Sequence, residues 1–277
     1  MLLSSVAESF NREIPHPELA HLNYRRFQPH PLLAPWVQCY WSACLFSPPA
    51  TDIVEKMYPD GGVSITFNLQ NPSRHWLSAK QSLHTMVVTD AMDSFGVRFH
   101  PAGAQWLLQT PLSDINQQHY LLSDFSLIGV DELAEDLTNA SSLRHRVLLV
   151  DQWLIECWQK LQPTINLAQS IVRQWPIGEV YNDGDFASWC RLQRINRRTA
   201  ERAFNYYLGI SPGQFKILQQ VRIARESIKH NPFLPLSEIA LTAGYYDQAH
   251  FTRQFRKVTG QTPGVYQQRQ QNKFPTQ

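Results

Sequence analysis

The stretch NRRTAERAFNYYLGISP, residues 196–212, decides the fold, because DQAHFTRQFRKVTGQTP at 247–263 echoes it at a constant offset. The alignment pairs Arg202 with Arg253, Phe204 with Phe255, Gly209 with Gly260 and Pro212 with Pro263. A unit that recurs within one chain points to one supersecondary element used twice. Each copy reads as a cap, an amphipathic helix and a terminating glycine. In the second copy Phe251, Phe255 and Val258 share one face, while Ala249, Arg253, Arg256 and Lys257 share the opposite one. In the first, Ala200, Phe204 and Tyr207 form the inner set and Arg198, Thr199, Arg202 and Tyr206 the outer. One face docks, and the other is left to read a partner.

The flanks complete the units. LPLSEIALTAGYY, residues 234–246, places Ser237 as the N-cap of a helix through Ile239, Ala240 and Leu241, closed by Gly244. That is helix, tight turn, helix, and the small Ala240 lets the two helices approach closely. Ahead of the first copy, Asp185 is expected to cap a helix through Ala187, Trp189 and Cys190, with Arg194 standing in the turn where glycine is easier. Between the copies, Ile217, Val221, Ala224 and Ile228 lie on one face, so residues 212–230 form a single helix of about 27 Å at 1.5 Å per residue. A rigid connector of that length suits two recognition helices near the ~34 Å repeat of a duplex. Lys216, Arg222 and Arg225 are read as its solvated face.

Charge is divided between the halves. Residues 163–277 hold 15 Lys and Arg against 7 Asp and Glu, and residues 1–162 hold 10 against 16, although the whole chain is only +2. A basic field concentrated on the repeat-bearing half is what phosphate neutralisation requires.

Residues 167–269 resemble the DNA-binding domain of the AraC/XylS family of bacterial transcription regulators. IALTAGYYDQAHFTRQFRKVTGQTPGVYQQR at 239–269 is a close match to the family's second helix-turn-helix, and INRRTAERAFNYYLGISPGQF at 195–215 a looser match to its first. The first departs from the pattern at Arg194, often glycine in the family, and at Ala200, often leucine. The resemblance implies that Arg198, Glu201 and Arg202 in the first unit, and Gln248, Ala249 and Arg253 in the second, face base edges. It also assigns Thr199, Asn205, His250, Thr252, Arg256 and Lys257 to the DNA backbone. Arg202 and Arg253 stand out independently, because they recur at one position on the outer face, where arginine pairs bidentately with guanine.

The N-terminal half reads as β-structure. The first 35 residues, rich in proline and histidine, are expected to be an extended lead-in. Strands follow over 37–46, over 63–69 with alternating Val63, Ile65, Phe67 and Leu69, and around 84–89 and 94–100. Asp60-Gly61-Gly62 is a turn. Pro101 suits a first helical turn continued by Ala104, Leu107 and Leu108; an anion site there, with Arg98 nearby, is the less favoured reading beside a plain structural junction. YRRFQPHPLLAPWVQCYW, MYPDGGVSITFNL and GVRFHPAGAQWLL, in that order, resemble a β-rich domain of uncharacterised role that precedes the same reader in some family members. Helices then cover 131–161, and Leu143, Val147, Val150, Leu154, Trp158 and Leu161 form a stripe that suits either a homodimer seam or packing on the β domain.

Other chemistries find little support. His75, His84, His100 and His119 fall on different elements without metal-ligand spacing, and no GxSxG or Walker loop occurs. Cys39, Cys44, Cys157 and Cys190 form no CxxC pair and are read as reduced and buried. No signal peptide or membrane span is evident, which places the chain in the cytoplasm, with the nucleoid when bound to DNA.

The expected fold is therefore α+β and multidomain. A mainly antiparallel β domain, cupin-like or barrel-like, occupies 1–162, and an all-α domain occupies 163–277, with helix-turn-helix units at about 184–208 and 236–259. The expected function is sequence-specific regulation of transcription on double-stranded DNA, with no catalytic residues, metal or cofactor. By family analogy the partners are a small-molecule effector or protein contact at the N-terminal domain, a second copy, and RNA polymerase. The alternative is a β-domain enzyme, metal-dependent or otherwise, with a helical localisation module; a sensor that sequesters a ligand without DNA is the third.

Overall fold

The apolar alternation of residues 63–69 becomes a strand whose Val63, Ile65 and Phe67 are at most 2% exposed. It lies inside an antiparallel sheet in the computed structural model, which describes residues 12–14, 19–71, 74–79, 81–115, 119–164, 166–175 and 186–272. The sheet consists of β1 (Glu13–Ile14), β2 (Arg25–Phe27), β3 (Val37–Leu45), β5 (Val63–Asn68), β6 (Trp76–Ser78), β8 (Met92–Phe99) and β9 (His119–Leu121). Their order is β1-β2-β3-β8-β5-β6-β9, and β4 (Ile53–Met57) pairs with β7 (His84–Val88) in a separate two-stranded ribbon. The lead-in expected over the first 35 residues is thus corrected: β1 and β2 extend the sheet, and a 3-10 turn at Ala20–Leu22 buries Leu22.

The helix expected from Pro101 is also shorter than its sequence suggests. Ala102 takes φ 59°, and α1 is confined to Gln105–Leu108. The Ala102 carbonyl accepts from Gln169 Nε2 at 2.6 Å and its methyl is buried in the second core, so this backbone is shaped by what docks on it. Arg98 pairs with Asp60 and bonds Ser64 Oγ at 3.1 Å, which makes the region a structural junction.

Helices α2 (Val130–Asn139) and α3 (Leu143–Leu161) cover one face of the sheet. Ser142 caps α3 by accepting from His145 N at 3.2 Å. Val147, Val150 and Leu154 on its apolar stripe are fully buried against Phe67, Phe95 and their neighbours, so the stripe packs on its own domain and is not available as a dimer seam. Asp151, on the same helix, is a buried hub. It accepts from Tyr40 Oη at 2.8 Å, from His30 N at 2.9 Å and from both Arg12 terminal nitrogens. Burial and the Asp151 carboxylate together push the Tyr40 phenol well above its ordinary pKa. Cys39, Cys157 and Cys190 are buried and in no disulfide, whereas Cys44, near the end of β3, is only half-buried.

A second core belongs to the C-terminal helices: α4 (Leu167–Gln174), α5 (Phe186–Leu192), α6 (Arg197–Leu208), α7 (Pro212–His230), α8 (Leu236–Thr242), α9 (Gln248–Thr259) and α10 (Pro263–Gln271). The expected cap Asp185 lies outside the described residues. The repeated exit has a physical basis in both copies. Gly209 and Gly260 take φ 67° and 71° and end α6 and α9, and two residues later Ser211 or Thr262 caps the next helix, which opens on a proline. Among the described residues no helix is long and apolar enough to cross a membrane.

The two cores meet across a polar seam. Gln105 Nε2 donates to Tyr207 O at 2.8 Å, Leu112 N donates to Tyr206 O at 2.9 Å, and Gln219 Nε2 donates to Asp60 O. The Arg225 guanidinium lies 3.7 Å from the Tyr58 ring centroid, so Arg225 is not on the solvated face expected of it; the aromatic ring takes it inward.

Replacing Asp151 by leucine strands the Arg12 charge, the Tyr40 hydroxyl and the His30 amide together. The expected cost is about 3–5 kcal/mol, read as a lowered urea midpoint; an unchanged midpoint would show that the hub contributes little to stability.

Candidate nucleic-acid interface

The two turns are built by the same pair of backbone bonds. After α5, Arg194 N donates to Arg191 O at 3.1 Å and Ile195 N to Cys190 O at 2.8 Å; after α8, Gly244 N donates to Leu241 O at 2.8 Å and Tyr245 N to Ala240 O at 2.9 Å. Closing a helix this way requires a left-handed residue, and the chain places Arg194 at φ 56° and Gly244 at φ 78° there. The entry to α8 differs from expectation. Pro235 is the N-cap and Ser237 lies inside the first turn, because the Pro235 carbonyl already accepts from Glu238 N and Ile239 N.

From each turn a recognition helix departs with its first amides satisfied. Asn196 Oδ1 accepts from Arg198 N at 2.9 Å and Asp247 Oδ1 from His250 N at 2.6 Å. Phe204 and Phe255 are fully buried, which fixes the rotation of both helices and turns the opposite faces outward. Arg198, Arg202 and Asn205 on α6 are exposed, with Thr199 and Glu201 half-buried beside them. Arg198, Glu201, Arg202 and Asn205 line one shallow open concavity. On α9, Gln248, Ala249, His250, Arg253, Arg256 and Lys257 are exposed and Thr252 is half-buried. The structure therefore gathers each predicted set on one helix face.

Two features escape a repeat alignment. Tyr246, 80% exposed, has no counterpart in the first unit: Asn196 follows Ile195 directly, whereas Tyr246 is interposed between Tyr245 and Asp247. It stands beside the N-terminus of α9, the end a helix-turn-helix presents to DNA. Its signal was the one-residue difference in turn length. Arg197 is the other, since its Nε donates to Glu201 Oε1 at 2.8 Å and offsets the one acid on the outer face of α6. Beneath the face, Tyr245 packs against the His250 and Phe251 rings at 5.5 and 5.2 Å, and burial raises its phenol well above the ordinary range. No group of three or more His, Cys, Asp or Glu is gathered for a metal among the described residues, although His84 and His119 meet with ring centroids 6.0 Å apart.

A left-handed arginine costs about 1–2 kcal/mol that glycine does not, partly offset by glycine's greater freedom when unfolded. Arg194→Gly is therefore expected to stabilise the chain by about 0.5–1 kcal/mol, seen as a higher urea midpoint. A lower midpoint would mean that the Arg194 side chain makes contacts worth more than the strain.

Residues 25–120 match a family model described as a domain of unknown function, DUF6597, and residues 189–269 match a helix-turn-helix domain model. The chain is 26% identical over 165 residues to an uncharacterized HTH-type transcriptional regulator of Haemophilus influenzae, covering 58% of this chain and 53% of that protein. It is 30% identical over 81 residues to the HTH-type transcriptional activator RhaR of Salmonella arizonae, covering 28% of each. It thus spans about half the length of the first relative and just over a quarter of the second. Among solved structures, ToxT of Vibrio cholerae aligns at 13% identity with a TM-score of 0.42, over 78% of this chain and 97% of ToxT. The C-terminal domain of AraT from Geobacillus stearothermophilus aligns at 24% identity with a TM-score of 0.32, over 37% and 80%. Residues 189–269 thus carry an AraC-type helix-turn-helix domain, preceded at 25–120 by a domain that matches the uncharacterised family.

Proposed function

We propose that the chain is a sequence-specific, DNA-binding regulator of transcription that acts in the cytoplasm without enzymatic activity of its own. The observation that carries this reading is the pair of capped helices α6 and α9, held on one connector, with polar and basic faces exposed at matching positions. In this reading Arg198, Glu201, Arg202, Gln248, Ala249 and Arg253 read base edges. Arginine suits guanine, Gln248 adenine and the Ala249 methyl thymine. Thr199, Asn205, His250, Thr252, Arg256 and Lys257 hold phosphates and set register. The reader is residues 163–277, and 1–162 is a module that senses or assembles. A small-molecule effector, a second copy of the chain and RNA polymerase complete the proposal as partners, and they rest on the regulator reading alone.

Selection of bound fragments from genomic DNA tests the function. The expected result is one enriched motif of two half-sites about one helical turn apart; recovery of fragments without a common motif would overturn it. On the selected site, Arg253→Ala is expected to weaken binding by about 1–3 kcal/mol and relax preference at one base position. An unchanged base profile would remove Arg253 from the reading set. Lys257→Ala is expected to weaken all sequences alike and to reduce the slope of log K against log salt by about 0.9. A change in base preference at constant salt slope would reverse its assignment.

A further inference from the structure

The N-terminal domain touches both helix-turn-helix units at equivalent places. A helix leaves its last four carbonyls without intrahelical donors. On α6, Asn205 O takes the Gly209 amide, but Tyr206 O and Tyr207 O are satisfied from the other domain, by Leu112 N and Gln105 Nε2. Gly209 itself lies so close that a Cβ there would sit 2.8 Å from Leu112 O. Its counterpart Gly260, at the end of α9, faces Leu83, whose Cδ2 would be 3.1 Å from such a Cβ. The next residue, Gln261, donates Nε2 to Tyr58 Oη at 3.3 Å.

The same domain grips the connector. Gln219 donates to Asp60 O, the Phe215 ring lies against Gly61, and Arg225 sits over Tyr58, which also meets the Tyr266 ring edge-on at 6.3 Å. Tyr58, Asp60 and Gly61 belong to one short link between β4 and β5, and Asp60 is tied down by Arg98 and by Gly62 N at 2.8 Å. The surface offered to the reader is therefore fixed by the sheet.

These contacts lie at the exits of α6 and α9 and along α7. Arg198, Arg202, Gln248, Ala249 and Arg253 remain exposed with the N-terminal domain docked. A lock on DNA binding would cover that face, whereas a splint would grip behind it.

We infer that the N-terminal domain is a splint that sets the separation and rotation of the two recognition helices, with Gln105 and Tyr58 as positioning residues. The ligand that fits a splinted reader is duplex DNA whose two half-sites keep one fixed spacing. The inference rests on the DNA-reading function proposed above.

The test uses the full chain and its selected site, with single base pairs inserted or deleted between the half-sites, and fluorescence anisotropy as the readout. Each inserted pair rotates one half-site by about 35° relative to the other, so the wild-type chain is expected to lose affinity at every altered spacing. Gln105→Ala and Tyr58→Ala are expected to weaken the native spacing by about tenfold and to flatten the spacing profile, because the second contact then depends on a looser tether. Their affinity for a duplex with a single half-site should match wild type, a readout that general unfolding would not spare. Tyr58 is only half-buried, so its variant serves should Gln105→Ala fail to fold. Variants that discriminate spacing as wild type does, or that bind the native site more tightly, would overturn the splint. A wild-type chain that selects no DNA would instead remove the function on which it rests.

Discussion

Both reading units depend on one buried seam, the apolar side of α7. Phe215, Leu218, Val221, Ala224 and Ile228 lie within the second core, with Phe204 at one end and Ile239, Phe251 and Phe255 at the other. Desolvating that seam supplies the stability of a half-domain of short helices, most of which would be marginal alone. It also fixes geometry. A continuous helix of 19 residues resists bending, so the seam places α6 and α9 on one connector, and the contacts from the N-terminal domain then set their final separation and rotation.

Much of this was legible because local chemistry and tertiary packing agree. Glycine in the left-handed conformation, a hydroxyl cap and a proline opening the next helix are all backbone constraints, and they recur in both copies. The inner faces of α6, α7 and α9 were readable from period alone. What was not legible required a neighbour from far along the chain. Ala102 turns left-handed where Pro101 suggests a helix, because Gln169 takes its carbonyl. Arg225 leaves the solvated face because Tyr58 offers an aromatic surface. β1 and β2 are too short for any strand signal, and they exist by pairing, β2 along β3 and β1 along β2. The exposed outer faces of α6 and α9 were readable by repeat and resemblance, whereas the exposed Tyr246 was hidden by an unequal turn.

The glutamines show how polar groups join two cores. Gln105, Gln169 and Gln219 are buried, and each donates its amide across the seam to a backbone carbonyl that would otherwise be left unpaired. Neutral donors suit the task, since an ammonium or guanidinium would carry a larger desolvation penalty at the same place. No sequence period marks such residues; a glutamine inside an apolar run is the only trace they leave.

The most direct measurement is interference by guanine N7 methylation on the selected site, since it reports major-groove contact base by base. The structure predicts two clusters of interfering guanines, about one helical turn apart on one face of the duplex. A single cluster, or two on opposite faces, would contradict a pair of recognition helices held on one rigid connector.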